Sequence, residues 1–145
     1  MGVIINMPAG GIQQIDGDEL FWFRKAFDSE WKGAVMLRLS DDRIYSKESV
    51  DDLGRKFSEA GVPVARMTPP DARMKVYVNA NNVKTIDESD PVIHHEKARS
   101  VLVFSSKIRL AVREDVDEAT RLLKEAQEKA AGNSDLDQYK NQKDC

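Results

Sequence analysis

The chain has 145 residues, 41% hydrophobic and 32% charged, with a formal net charge of −3; this suits one soluble globular domain, or two very small lobes sharing a core. The net negative charge argues against tight nonspecific DNA binding by the bulk surface and leaves room for a local basic strip. The single cysteine is Cys145, the last residue, so an internal disulfide is excluded, no apolar run approaches membrane-spanning length, and MGVIINMPAGG has no signal-peptide core; a cytoplasmic protein is expected.

Val3 to Asn6 is a short β-branched run that reads as an edge strand, broken by Pro8, Gly10 and Gly11. Ile12 to Ile15 alternates and reads as strand. Asp18 to Trp31 (DELFWFRKAFDSEW) carries half of the aromatic side chains: Phe21, Trp22, Phe23, Phe27 and Trp31. Leu20 to Arg24 is expected to be a strand followed by a loop. The alternative is a helix stacking Phe23, Phe27 and Trp31 on one face. These five aromatics are either core or a partner-binding patch, since Trp and Phe supply much interface energy.

Ala34 to Leu39 is predicted as a strand, Asp41-Asp42 as a turn and Arg43 to Lys47 as the returning strand. Ser49 with Asp52 forms a capping pattern for a helix whose stripe is Val50, Leu53 and Phe57, ending at Gly61. Residues 62–74 hold Pro63, Pro69 and Pro70 and are expected to be a linker, with Val62 to Met67 as an alternative bridging strand.

The second half reads similarly. Lys75 to Val78 is a strand, Asn79 to Asn82 a turn, Val83 to Ile86 extended. Val101 to Phe104 is apolar on both faces and reads as a central strand. Ile108, Leu110 and Val112 alternate with Arg109, Ala111 and Arg113. Asp115 caps a helix with the stripe Val116, Ala119, Leu122, Leu123 and Ala126. It is expected to fray near Gly132, leaving a polar tail.

The halves align. With Val50-Asp51-Asp52-Leu53 on Val116-Asp117-Glu118-Ala119, Ser40 falls on Ser106, Arg43 on Arg109, Glu48 on Glu114 and Arg55 on Arg121. Upstream, Ile12–Asp16 aligns with Val83–Asp87 once five extra residues are placed in the first copy. A repeat tens of residues long is one supersecondary unit that buries its apolar face against its neighbour. The expected fold is therefore α+β: two tandem βββα repeats packed as one pseudo-symmetric domain with antiparallel sheets, one helix per repeat and a polar C-terminal tail. The boundaries are 1–61 and 75–131 for the repeats, 62–74 for the linker and 132–145 for the tail.

Two resemblances follow. The second half resembles the FlbD type of small flagellar and swarming-motility protein through Val78, Asn79, Ala80, Val83, Ile86, Val112, Glu114, Val116 and Glu118, with Ser106-Lys107 where that family has a turn glycine. It implies a small non-enzymatic cytoplasmic protein. The whole chain also resembles LytTR DNA-binding domains: Ile12 to Ile15, the strand pair Val35 to Ser46, helix 50 to 60, then Val78-Asn79 and Val83. Pro69 to Met74 stands where that family has an Arg-Ser pair. This resemblance implies sheet-based DNA recognition.

The residues show no catalytic set. His94 and His95 are neighbours that point to opposite faces of an extended chain, which does not suit one metal. Asp16 to Glu19 and Asp87 to Asp90 are carboxylate-rich turns without calcium-loop spacing. Gly10-Gly11 is too short for a phosphate loop, so no catalytic residue, cofactor or metal is expected. Arg43, Lys47, Lys107, Arg109 and Arg113 are either a solvated sheet face or a phosphate-contacting strip. The leading expectation is a non-enzymatic interaction or regulatory protein, homo-oligomeric through its aromatic patch or strand edges. The alternatives are a LytTR-like nucleic-acid-binding regulator and a small-ligand sensor with a pocket between the repeats.

Overall fold

The computed structural model describes residues 2–70, 74–90 and 92–143, with side chains as far as residue 131. Cys145, Pro91 and residues 71–73 of the predicted linker lie outside the described residues. The fold is α+β with antiparallel strand pairing throughout the described sheets. In chain order the elements are β1 (Gly2–Asn6), β2 (Ile12–Asp16), β3 (Leu20–Lys25), β4 (Val35–Leu39), β5 (Arg43–Ser46), α1 (Val50–Glu59), β6 (Val64–Met67), β7 (Val76–Asn79), β8 (Thr85–Glu88), β9 (Ser100–Val103), β10 (Arg109–Val112) and α2 (Val116–Lys143). They form a hairpin β1-β2, a five-stranded sheet β5-β4-β3-β7-β6 and a three-stranded sheet β10-β9-β8.

The duplication is visible and longer than βββα. Each copy runs two strands, a 3-10 turn, three strands and a helix: β1 to α1, then β6 to α2. Local chemistry repeats with the order. Asp16 Oδ1 accepts from the Asp18 N–H at 3.0 Å, and Asn79 Oδ1 from the Asn81 N–H at 3.1 Å, so each side chain caps its 3-10 turn. β2 therefore corresponds to β7, not to Val83–Asp87 as the sequence alignment has it. The proline-containing stretch after Gly61 holds β6, the first strand of the second copy. Pro63 is tolerated because it stands just before that strand, where its missing N–H breaks no ladder.

Ser49 Oγ caps α1 by accepting from the Asp52 N–H, and Asp115 Oδ1 accepts from the Glu118 N–H at the start of α2. Gly61 takes φ +83 just after α1, a conformation that suits glycine and closes the helix. The α2 backbone runs on to Lys143, past Gly132, where the sequence leads one to expect a tail. A single glycine costs a helix only about 1 kcal/mol, and no proline follows to stop it.

The five-stranded sheet is the middle layer. One face carries Leu20, Phe23, Leu37 and Ile44 against Leu53 and Phe57 of α1 and Val3, Ile5 and Ile15 of the hairpin. The other carries Phe21, Trp22, Met36, Met67 and Val78 against Leu102, Phe104 and Val112 of the small sheet and Ala119 and Leu123 of α2. Phe21 and Trp22 are sequence neighbours on one side of the sheet because the β3–β4 register slips between Leu20 and Trp22. That bulge puts two rings on the same partner, with Phe104 centred 5.0 Å from Phe21 and 5.1 Å from Trp22.

Candidate nucleic-acid interface

The predicted aromatic patch comes apart in the structure. Phe21, Trp22 and Phe23 are buried in β3, so assigning them to partner binding is corrected. β3 is central in its sheet, and a central strand between two packed layers has no free face. Phe27 and Trp31 lie in the loop 26–34 and are each 44% exposed. Phe27 lies under the Arg24 guanidinium, whose Cζ is 3.8 Å from the ring centroid. Trp31 leans on Tyr45 at 6.0 Å.

Between the large and small sheets runs a groove of about 490 Å³ lined by Arg24, Arg38, Arg43, Lys107, Arg109 and His95 over a floor that includes Trp22, Met36, Val76 and Leu110. Among the described residues its lining contains no carboxylate. β3, β4 and β5 supply one wall. The β9–β10 turn and the edge strand β10 supply the other.

The two walls fold for simple reasons. In the β4–β5 ladder Leu37 pairs with Ile44 and Arg38 with Arg43. Alternation sends Leu37 and Ile44 into the α1 core and leaves the two arginines side by side on the groove face. Like charges directly opposite one another in an antiparallel pair are destabilising, by a few tenths of a kcal/mol up to about 1. Neither arginine makes a salt bridge among the described residues. On the other wall, Ser105 Oγ accepts from the N–H groups of Lys107 and Ile108, tightening the turn that holds Lys107 at the rim.

Arg24 is the partly neutralised member. Its Nη1 donates to Glu30 Oε1 at 2.8 Å, and the same oxygen accepts from the Phe27 N–H at 2.8 Å. Burial pushes the Glu30 carboxyl up, but these bonds and the charges of Arg24 and Arg43 outweigh it and leave it below the usual carboxylate range. Glu30 thus stays ionised and ties the loop to β3. The Trp22 indole Nε1–H is buried without a hydrogen-bond partner among the described residues. The groove is an array of donors and cations, suited to a polyanion.

Of the basic residues singled out from sequence, the groove unites Arg43, Lys107 and Arg109. Lys47 lies elsewhere, in a hollow beside the start of α1. Arg113 is committed to the fold: Nε and Nη2 donate to the Pro70 carbonyl at 3.1 and 2.9 Å, and Nε also to Pro69. Its Nε–H and one Nη2–H anchor the proline stretch in this way, and Arg113 does not line the groove with Arg43, Lys107 and Arg109. Sequence reading missed Arg24, Arg38 and His95. Arg38 was accessible to it: a hairpin turning at Asp41-Asp42 places Arg38 opposite Arg43. His95 Nδ1 accepts from the Lys97 N–H, and His94 Nδ1 from the Asp90 N–H, so both imidazoles help shape the β8–β9 loop.

No helix among the described residues is long and apolar enough to cross a membrane. No protein-family model matches the chain, and no curated protein matches it. The resemblance of the second half to FlbD-type proteins therefore finds no support. Among solved structures the chain is similar to a LytTR DNA-binding domain from Bacillus cereus, part of a protein described as a methyl-accepting/DNA response regulator. The identity is 14%, the TM-score 0.51, and the match covers 90% of this chain and 96% of that one. At that identity the likeness is one of fold: the three-sheet α+β arrangement is similar to that of a LytTR domain.

Proposed function

We propose that this chain is a nucleic-acid-binding regulatory protein, without a catalytic step of its own, that holds a phosphate backbone along the groove between its sheets. The observation that carries the reading is the cross-strand pair Arg38–Arg43, placed side by side with no carboxylate among the described residues of the groove lining. A fold keeps such a pair at a cost to its own stability, and a phosphate backbone relieves that cost. The LytTR-like fold supports the same reading. The overall charge of −3 does not oppose it, because the acidic groups among the described residues lie outside the groove lining and phosphate binding is a local matter.

Fluorescence anisotropy with labelled random-sequence DNA tests the proposal. Binding is expected at micromolar protein or below in 50 mM salt, weakening on the order of 10²-fold by 200 mM as counterion release is lost. Arg43→Gln is expected to bind more weakly while unfolding no earlier than the wild type, because it removes the like-charge contact. Absence of binding to any DNA at low salt sinks the reading.

The interaction-protein reading loses its main surface once Phe21, Trp22 and Phe23 are core.

A further inference from the structure

A second basic hollow lies on the opposite face of the same five-stranded sheet. It has about 490 Å³ and is lined by Lys25, Lys47, Arg66 and Lys75, with Tyr77 behind them. All four cations are exposed. Two acids also border it, and both are occupied. Glu48 is held by Lys56 Nζ at 2.6 Å, and Asp51 Oδ1 accepts from the Tyr77 hydroxyl at 2.8 Å. Lys25, Lys47, Arg66 and Lys75 make no salt bridge among the described residues.

The two hollows meet at one end of the sheet. Arg24 and Lys25 are consecutive residues of β3, one lining each hollow. The wall between them is the tip of the β3–β4 hairpin, loop 26–34, which presents exposed Asp28, Ser29, Trp31 and Lys32. The major groove of a DNA duplex is about 12 Å wide and admits a two-stranded ribbon. It has a phosphate backbone on each side, whereas a single strand has one. Single-strand sites also rely on aromatic platforms. Here Trp22 is buried, one face of Phe27 is taken by Arg24, and Trp31, the other exposed ring on the loop, leans on Tyr45, so no row of free aromatic faces lines either hollow among the described residues.

We infer that the partner is duplex DNA, entered by the β3–β4 hairpin tip, with Arg38, Arg43, Lys107 and Arg109 on one backbone and Lys25, Lys47 and Lys75 on the other. This rests on the nucleic-acid-binding reading above and adds the second contact surface and the duplex form. Asp28 and Ser29 at the tip supply an acceptor and a hydroxyl for base edges in the groove.

The test measures anisotropy of a labelled duplex of about 25 base pairs, and of one of its strands, against the full chain from 50 to 200 mM salt. Three proteins are compared: wild type, Lys25→Ala/Lys47→Ala/Lys75→Ala, and Lys84→Ala/Lys124→Ala, whose lysines line a different hollow beside α2. Each removed phosphate contact lowers the slope of log K against log salt by about 0.9 for a duplex. The first variant is therefore expected to lose about 2.7 from the duplex slope while keeping the wild-type circular dichroism spectrum, and the second to keep the wild-type slope. An unchanged slope in the first variant, with Arg43→Gln still weakening binding, overturns the second surface and leaves the groove standing. Preference for the single strand overturns the duplex. No binding by the wild type overturns both readings.

Discussion

Trp22 and Trp31 belong to one aromatic segment of the sequence and answer to different physics. Trp22 is 9% exposed, packed on Phe104 in the layer shared by both sheets, while Trp31 is 44% exposed over Tyr45. Trp22→Ala should open a cavity costing about 3–5 kcal/mol, and Trp31→Ala less than about 1 kcal/mol. Chemical denaturation of the two variants measures the difference, and equal costs would contradict the burial described. Sequence could not separate them. An aromatic run has the same composition whether its strand is central or marginal, and the answer depends on β7, more than fifty residues downstream, pairing with β3. The same dependence hid Arg24 as a member of the basic groove. Arg43 and Arg109 stand out because they alternate with apolar residues in short strands, and Lys107 because it continues that alternation into the turn before β10. Arg24 follows a run of three buried aromatics, and only the stacking of the two sheets turns its side into a groove wall.

At the scale of elements the duplication was legible where helix caps and hairpins recur, and it failed upstream, where strands are short and identities few. The structure supplies the missing register through equivalent staples. Glu48 Oε2 accepts from the Asn6 N–H at 3.2 Å and thereby ties the end of β1 to the entry of α1. Glu114 Oε1 accepts from the Thr68 N–H at 2.9 Å and ties the end of β6 to the entry of α2. The backbone does likewise: the Lys47 N–H donates to the Asn6 carbonyl and the Arg113 N–H to the Thr68 carbonyl. Burial by itself pushes the Glu48 carboxyl up, but the Lys56 ammonium and the Asn6 N–H hold it below its ordinary value of 4.5. A carboxyl depressed in the folded state stabilises fully above its unfolded value, and that contribution fades as pH falls through the folded one. Glu48→Gln should therefore cost about 1–2 kcal/mol at neutral pH. The gap to wild type should narrow on acidification below pH 4.5. Urea denaturation at pH 7 and at about pH 3.5 checks this, and a gap that is constant across both pH values rules out the ionised staple.

On the scale of the whole molecule the two copies depend on each other. Trp22 and Phe23 of the first copy pair with Val78 and Tyr77 of the second, so one sheet is built from both halves of the chain. Phe104 of the second copy fills the space beneath Phe21 and Trp22 of the first, and Phe23 stacks on Tyr77 at 4.9 Å. Neither half retains a closed core when the other is removed. A fragment of about 60 to 80 residues that has lost part of its core buries too little surface to make up for the loss. Residues 1–62 and 63–145 expressed separately should each lack a cooperative thermal transition. Mixed, they should recover one, with a midpoint that rises with concentration because folding is then coupled to association. Far-ultraviolet circular dichroism of the fragments and of their mixture measures this. A fragment that melts cooperatively by itself would show that its core is its own, and would sever the link between the repeat, the shared sheet and the groove that the two copies enclose.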